Sequence, residues 1–214
     1  MELIAKNLLF LLEGAWYTLF IALSSMFFGF FIGLGVALAR LRGPSWLVAA
    51  ARAYVSAIRG TPVLVQIFIV YYGLPDVGIT FSPLTAAVLS LSINIGAYLS
   101  ETFRAAILSV PRGQMEAALS LEMTTSQALR RIIFPQAARV AIPPMGNTFI
   151  GMLKETSLVS VITVTELLRS AQLLVAQYYV VMPFYLAIAV MYWLMSTGLS
   201  SALNLVEKRL SAAY

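Results

Sequence analysis

Between Trp16 and Ala39 the chain carries no charged side chain, and four more predominantly apolar runs follow it. Nothing constrains the fold more than this. A bilayer core takes roughly 20 apolar residues to cross at about 1.5 Å of rise each. The runs are 16–39, 46–74, 83–110, 141–162 and 183–206. The first is too long for a signal-peptide core and lacks a small-x-small cleavage end, so it reads as a retained span. Lipid offers no partners to backbone N–H and C=O groups, so each run must satisfy its own, as helices do. The expected fold is all-α: a polytopic membrane protein of five transmembrane helices in one domain, 1–214, with no soluble appendage.

Composition narrows the chemistry. Only 11% of residues are charged while 60% are hydrophobic, against about a quarter charged in soluble domains. Cysteine and histidine are absent. Disulfides and the usual soft metal ligands are therefore missing, and so is the commonest general base; no metal site is expected. A net charge of +5 in such a chain marks cytoplasmic loops rather than a nucleic-acid partner. Arg40, Arg42 and Arg52 surround the first loop. Arg104, Arg112, Arg130, Arg131 and Arg139 surround the third, and Lys208 and Arg209 follow the last run. This bias puts the amino terminus outside and the carboxyl terminus in the cytoplasm.

Proline and glycine punctuate the runs. Arg59-Gly60-Thr61-Pro62 interrupts the second, and the piece after Pro62 is too short to cross alone, so one long helix kinked at that proline is expected. Pro143-Pro144 predicts another kink. Gly29, Gly33 and Ala37 form a small-residue ridge suited to close helix packing. Residues 163–175 read as a short amphipathic helix on the outer surface, with leucines on one side and Glu166, Arg169 and Gln172 on the other.

The cytoplasmic segment 111–139 is the polar exception. Glu116 to Glu122 suits a short helix with Ala117, Ala118 and Leu121 on one face. Thr124 and Gln127 form a capping box that restarts a second helix, and Pro135 is expected to stop it. Two readings fit this elbow: a loop lying on lipid or on the protein's own helices, and a knob that docks in a partner's groove.

Polar groups at membrane depth cost a few kcal/mol each, roughly, and so face protein or a cavity. Ser90, Asn94, Tyr98, Glu101 and Arg104 share one face of the third run. They form either an interhelical seam with a Glu101–Arg104 pair or, for Ser90, Asn94 and Tyr98, the wall of a route for a polar solute. Gln66 borders the same cavity or bonds a neighbouring helix. Asn147, Met152, Lys154, Glu155 and Ser157 pose the same choice in the fourth run. Lys154 and Glu155 point to different faces, and Glu101 is the leading candidate partner for Lys154.

The segment Glu116-Ala117-Ala118 through Ile132 and Pro135 resembles the EAA motif of ATP-binding-cassette importer permeases, with Phe134 for Leu and Glu122 where that family has Gly. The resemblance extends through Arg59-Gly60-Thr61-Pro62, Gln66, Tyr72-Gly73-Leu74-Pro75, Asn94, Tyr98, Glu101, Arg104, Pro135-Gln136-Ala137, Asn147 and Lys154-Glu155-Thr156-Ser157-Leu158. Together these are similar to permeases for polar amino acids, the cystine type most of all. The resemblance implies a type I importer permease fold and makes the elbow a coupling helix. Glu116, Ala117, Ala118, Leu121, Glu122 and Thr124 would dock an ATPase; Gln66, Ser90, Asn94, Tyr98, Asn147 and Met152 would line the pathway. Arg59, Glu101, Arg104, Lys154 and Glu155 would form gates or intramembrane ion pairs. It also implies a second permease subunit, two ATP-binding subunits and an external solute-binding protein. No cofactor would bind this chain directly; ATP and Mg belong in the partner, consistent with the lack of a Walker A sequence. A proton-driven carrier using Glu101 and an intramembrane enzyme using Glu101 or Glu155 are the competing expectations. The first lacks an inverted repeat and the second a recognisable dyad.

Overall fold

A computed structural model describes residues 2–211. After a short helix α1 (Glu2–Lys6) comes α2 (Leu8–Arg42), the longest element. Beside it runs α5 (Pro83–Ser109), started by Ser82, whose hydroxyl accepts from the Thr85 N–H at 3.2 Å, with Pro83 in the first turn. The small-residue ridge is where these two helices touch. A Cβ at Gly29 would come 2.0 Å from Ile95 Cγ2, and one at Gly33 would come 2.8 Å from Leu99 Cβ. Side chains there would push the backbones apart, so glycine permits the seam. Ala37 continues it, wholly buried.

The second run is broken rather than kinked. Helix α3 (Ser45–Arg59) and the segment Val63–Val77 meet at 106°. That segment is α4 (Val63–Phe68), a wide π turn (Ile69–Gly73) and a 3-10 turn (Leu74–Val77). Pro62 has no N–H to offer the preceding turn, which frees carbonyls at the end of α3. Side chains take them up: Thr61 Oγ1 donates to Ala57 O at 2.9 Å and Gln66 Nε2 to Ile58 O at 2.8 Å. A kink keeps most of its ladder; here the ladder is replaced.

The polar segment folds as α6 (Arg112–Ser120) and α7 (Thr125–Ala128). Pro135 does not end the second of these, contrary to expectation. A π turn (Leu129–Ile133) carries the chain straight into α8 (Phe134–Glu155), the Phe134 N–H reaching five residues back to Leu129 O. Pro135 then sits in the first turn of α8, where a missing N–H costs little. Helix α8 runs on past Pro143 and Pro144 into a 3-10 turn (Thr156–Ile162), so Thr125–Ile162 is one rod.

Next comes α9 (Leu167–Tyr178), bounded by the left-handed residues Thr163 (φ 65°) and Tyr179 (φ 57°). One side of it is open, with Arg169 and Gln172 part-exposed, but Glu166 is not on that side. Leu167, Ser170, Ala171 and Leu174 are buried in a cluster with Leu11, Ala15, Phe184 and Ile188, and Glu166 is fully buried. Last comes α10 (Met182–Ser211), packed lightly at the edge. By length and composition three helices can cross a membrane, and five spans result when each bent pair counts as one.

Candidate functional site

At the elbow, α6 ends in a Schellman turn: Met123 N–H donates to Ala118 O at 3.2 Å and Glu122 N–H to Leu119 O at 3.0 Å. That turn needs a left-handed residue, and Glu122 takes it, at φ 59°. The glutamate therefore keeps the tight turn expected of glycine and bears a strain of about 1 kcal/mol for its Cβ. Thr124 Oγ1 accepts from Gln127 N–H at 3.3 Å while Gln127 Oε1 accepts from Thr124 N–H at 2.8 Å, the reciprocal box read from the sequence. Ala117, Ala118 and Leu121 do not share a face. Ala118 is 1% exposed and packs into the chain, whereas Leu121 is 76% exposed. Successive residues on a helix diverge by about 100°, so Ala117 turns outward instead, with Glu116, Glu122 and Thr124. Beside them Ser126, Gln127, Arg130 and Arg131 line a polar hollow of about 400 Å³.

The rod that starts at α7 carries a second feature. Asn147, Lys154 and Glu155 are all exposed, and a Cβ on Gly151 would meet nothing within 4 Å. At 100° per residue these four fall on one open stripe. Lys154 and Glu155 flank it rather than serving separate faces. Met152, expected on the pathway, is 1% exposed and belongs to the core around Leu99 and Phe103.

On α5 the expected residues separate. Gln66 Oε1 accepts from Asn94 Nδ2 at 3.0 Å, both side chains buried, while the Gln66 amide donates to the broken helix. Ser90 donates to Ala86 O within its own helix at 2.6 Å. Tyr98 is the exposed member, 42% accessible, and the Arg59 guanidinium lies 5.3 Å from its ring centroid. So Gln66 and Asn94 close the break, and Arg59 and Tyr98 stand at an open face.

Glu101 does not pair with Lys154. One carboxylate oxygen takes Arg40 of α2; the other takes Arg104, at 2.9 Å and 3.1 Å. With both oxygens committed to guanidiniums from α2 and α5, a lysine on α8 has no place. Arg40 was visible in the sequence only as a loop charge; its role depends on helix packing. The sequence reading also missed Glu166. Its carboxylate accepts from Leu168 N–H (2.9 Å), Arg169 N–H (2.8 Å), Tyr192 OH (2.8 Å) and Thr18 OH (3.4 Å), and Leu167 N–H donates to Thr18. One signal was available: an acidic residue just before a leucine-periodic run is an N-cap candidate.

A family model described as "Binding-protein-dependent transport system inner membrane component" matches residues 25–212. The chain belongs to this family. It is accordingly a multi-pass inner-membrane transport subunit. The L-cystine transport system permease protein TcyB of Bacillus subtilis is 45% identical, covering 92% of this chain and 85% of that one. The glutamine transport system permease protein GlnP of Escherichia coli is 38% identical over 94% and 92%. A crystal structure of an amino acid ABC transporter with histidines superposes with a TM-score of 0.91 at 38% identity, covering 96% of each chain. The MetNI methionine transporter, at 20% identity and a TM-score of 0.81 over 96% and 98%, shares the fold. The all-helical architecture of type I importer permeases is thus the fold of this chain.

Proposed function

We propose that the chain is the membrane-spanning subunit of an ATP-driven importer of a polar amino acid, cystine among the candidates, working by alternating access. The observation that carries the reading is the rod Thr125–Ile162: its inner end is the exposed elbow and its membrane-depth part is the polar stripe of Asn147, Gly151, Lys154 and Glu155. A push on α6 reaches the rod through the tight turn at Glu122, and from Thr125 onward one continuous helix carries it to the stripe. Glu116, Ala117, Leu121, Glu122 and Thr124 present the docking face to a partner ATPase, which holds the ATP and Mg; Ala118 supports it from behind.

The stripe, with Arg59 and Tyr98, supplies cationic, anionic, amide and phenol groups, which match the carboxylate and ammonium of an amino acid. Left against lipid, Lys154 and Glu155 would be costly, so they face a second permease subunit or the aqueous path between two subunits. The similarity to named cystine and glutamine permeases supports the substrate class, and the family's binding-protein dependence supports an external solute-binding partner. The basic loops support a cytoplasmic elbow and carboxyl terminus.

The test is uptake of labelled cystine, glutamine, histidine and arginine into proteoliposomes holding this chain, its ATPase and its binding protein. ATP inside should drive uptake of one of them. Ala117→Trp should abolish both uptake and co-purification of the ATPase while the chain stays folded. Uptake driven by an ion gradient without nucleotide would contradict the reading.

A further inference from the structure

The hollow at the elbow gathers hydrogen-bond donors for which this chain supplies no acceptor. Arg130 and Arg131 stand side by side in its wall with Ser126 and Gln127, and both arginines are exposed. Neighbours on an α-helix point about 100° apart. Here the π turn Leu129–Ile133 puts more residues into each turn, which narrows that angle and brings two guanidiniums to one opening. Among the described residues the ion pairs are those of Glu101 with Arg40 and Arg104, and neither the Arg130 nor the Arg131 guanidinium makes a hydrogen bond. Gln127 commits its Oε1 to the Thr124 N–H, so its amide nitrogen is left as a further donor.

Two like charges held together without a counter-charge repel, and donors that share one opening without an acceptor are complementary to an anion. We propose that this hollow receives a carboxylate of the partner ATPase, an Asp or Glu side chain seated between Arg130 and Arg131. The inference rests on the elbow being the docking element. The hollow continues the docking face, because Ser126 and Gln127 belong to the turn that Thr124 caps. A lipid phosphate has similar acceptors but lies too far away. Arg131 precedes Ala141, where the apolar run begins, by ten residues, about 15 Å along the rod. A headgroup layer is roughly 5–8 Å thick. The same elbow exposes Glu116 and Glu122 on the side of α6. The acid on the ATPase must therefore lie toward the rod and away from α6, which fixes the way round in which the elbow docks.

The test uses the full chain with its ATPase in phosphatidylcholine proteoliposomes, binding being read by co-flotation. Arg130→Gln with Arg131→Gln should weaken binding about tenfold at low salt, and by less as salt is raised. Arg131→Lys keeps the charge and should bind within about threefold of the natural chain. The lysines of the chain are Lys6, Lys154 and Lys208, so Arg131→Lys or Arg130→Lys brings a primary amine to the elbow for the first time. Carbodiimide should join that amine by an amide bond to one Asp or Glu of the ATPase, identified by mass spectrometry. An amide only to a glutamate of this chain, or none from either variant while the ATPase is bound, overturns the proposal. So does an effect of the double substitution that appears only when phosphatidylglycerol is added, which would mark a headgroup site. Ala117→Trp separates this proposal from the docking reading beneath it. If it abolishes binding while the double substitution leaves affinity unchanged, the elbow docks the ATPase and the carboxylate site alone is refuted. If Ala117→Trp leaves binding intact, the docking reading fails and the carboxylate site fails with it.

Discussion

Two glutamates hold α2 at opposite ends, and they are satisfied by opposite means. Near the Arg42 end of the helix Glu101 is part-exposed, its side chain 24% accessible, and gripped by the guanidiniums of Arg40 and Arg104. Towards the other end Glu166 is fully buried and its partners among the described residues are uncharged: two backbone N–H groups, a phenol and a hydroxyl. Their contacts on α2, Arg40 and Thr18, are about 33 Å apart at 1.5 Å per residue, close to the thickness of a hydrocarbon core. The difference is instructive. The ion triad sits next to the loop that leads to the elbow, where charges in partial contact with water can exchange partners at modest cost. The hydrogen-bonded network ties α2, α9 and α10 together where exchange would strand buried donors. The Glu166 end is built as a clamp and the Glu101 end as a coupling.

That contrast can be broken by experiment. The largest effect belongs to Glu166→Ala, which leaves Tyr192 OH and two N–H groups without an acceptor; a loss of about 3 kcal/mol or more is expected, read as a fall in thermal midpoint in detergent. Glu101→Gln should cost less, about 1–2 kcal/mol, and its cost should shrink as salt is raised, whereas that of Glu166→Ala should not. Equal costs, or equal salt responses, would remove the distinction between clamp and coupling. A double-mutant cycle of Arg40 with Glu101 should show coupling of about 1 kcal/mol, and one of Lys154 with Glu101 should show none within about 0.5 kcal/mol. Strain at the elbow sharpens the point: Glu122→Gly should stabilise the chain by up to about 1 kcal/mol, because the left-handed turn then carries no Cβ. The smallest effect on stability is expected for Lys154→Gln, within about 0.5 kcal/mol, because that side chain is exposed, although uptake should fall.

What the sequence disclosed follows the same division. Apolar length and the small-residue ridge announced the spans and the α2–α5 seam, because lipid thickness and close packing act on local sequence. The capping box at Thr124 and Gln127 was equally local. The 106° break was hidden, since it is stable only because Thr61 and Gln66 fold back to accept the role of lost backbone donors. Continuity through Pro135 was hidden for a similar reason: a π turn shifts the register one residue before the proline matters. The partner of Glu101 lay 61 positions away, and choosing Arg40 over Lys154 required knowing which helices touch. Glu166 misled in the plainest way, for a glutamate in an amphipathic pattern reads as solvated until the helices behind it are in place.

Because the chain has no cysteine, a single thiol can interrogate the elbow. With Ala117→Cys in proteoliposomes, a short maleimide–diazirine crosslinker attached to that thiol should join this position to the ATPase subunit on irradiation, and bound ATPase should shield the thiol from an impermeant maleimide. If uptake proceeds while that thiol reacts freely and crosslinks to no ATPase, the elbow is not the coupling element and the account fails.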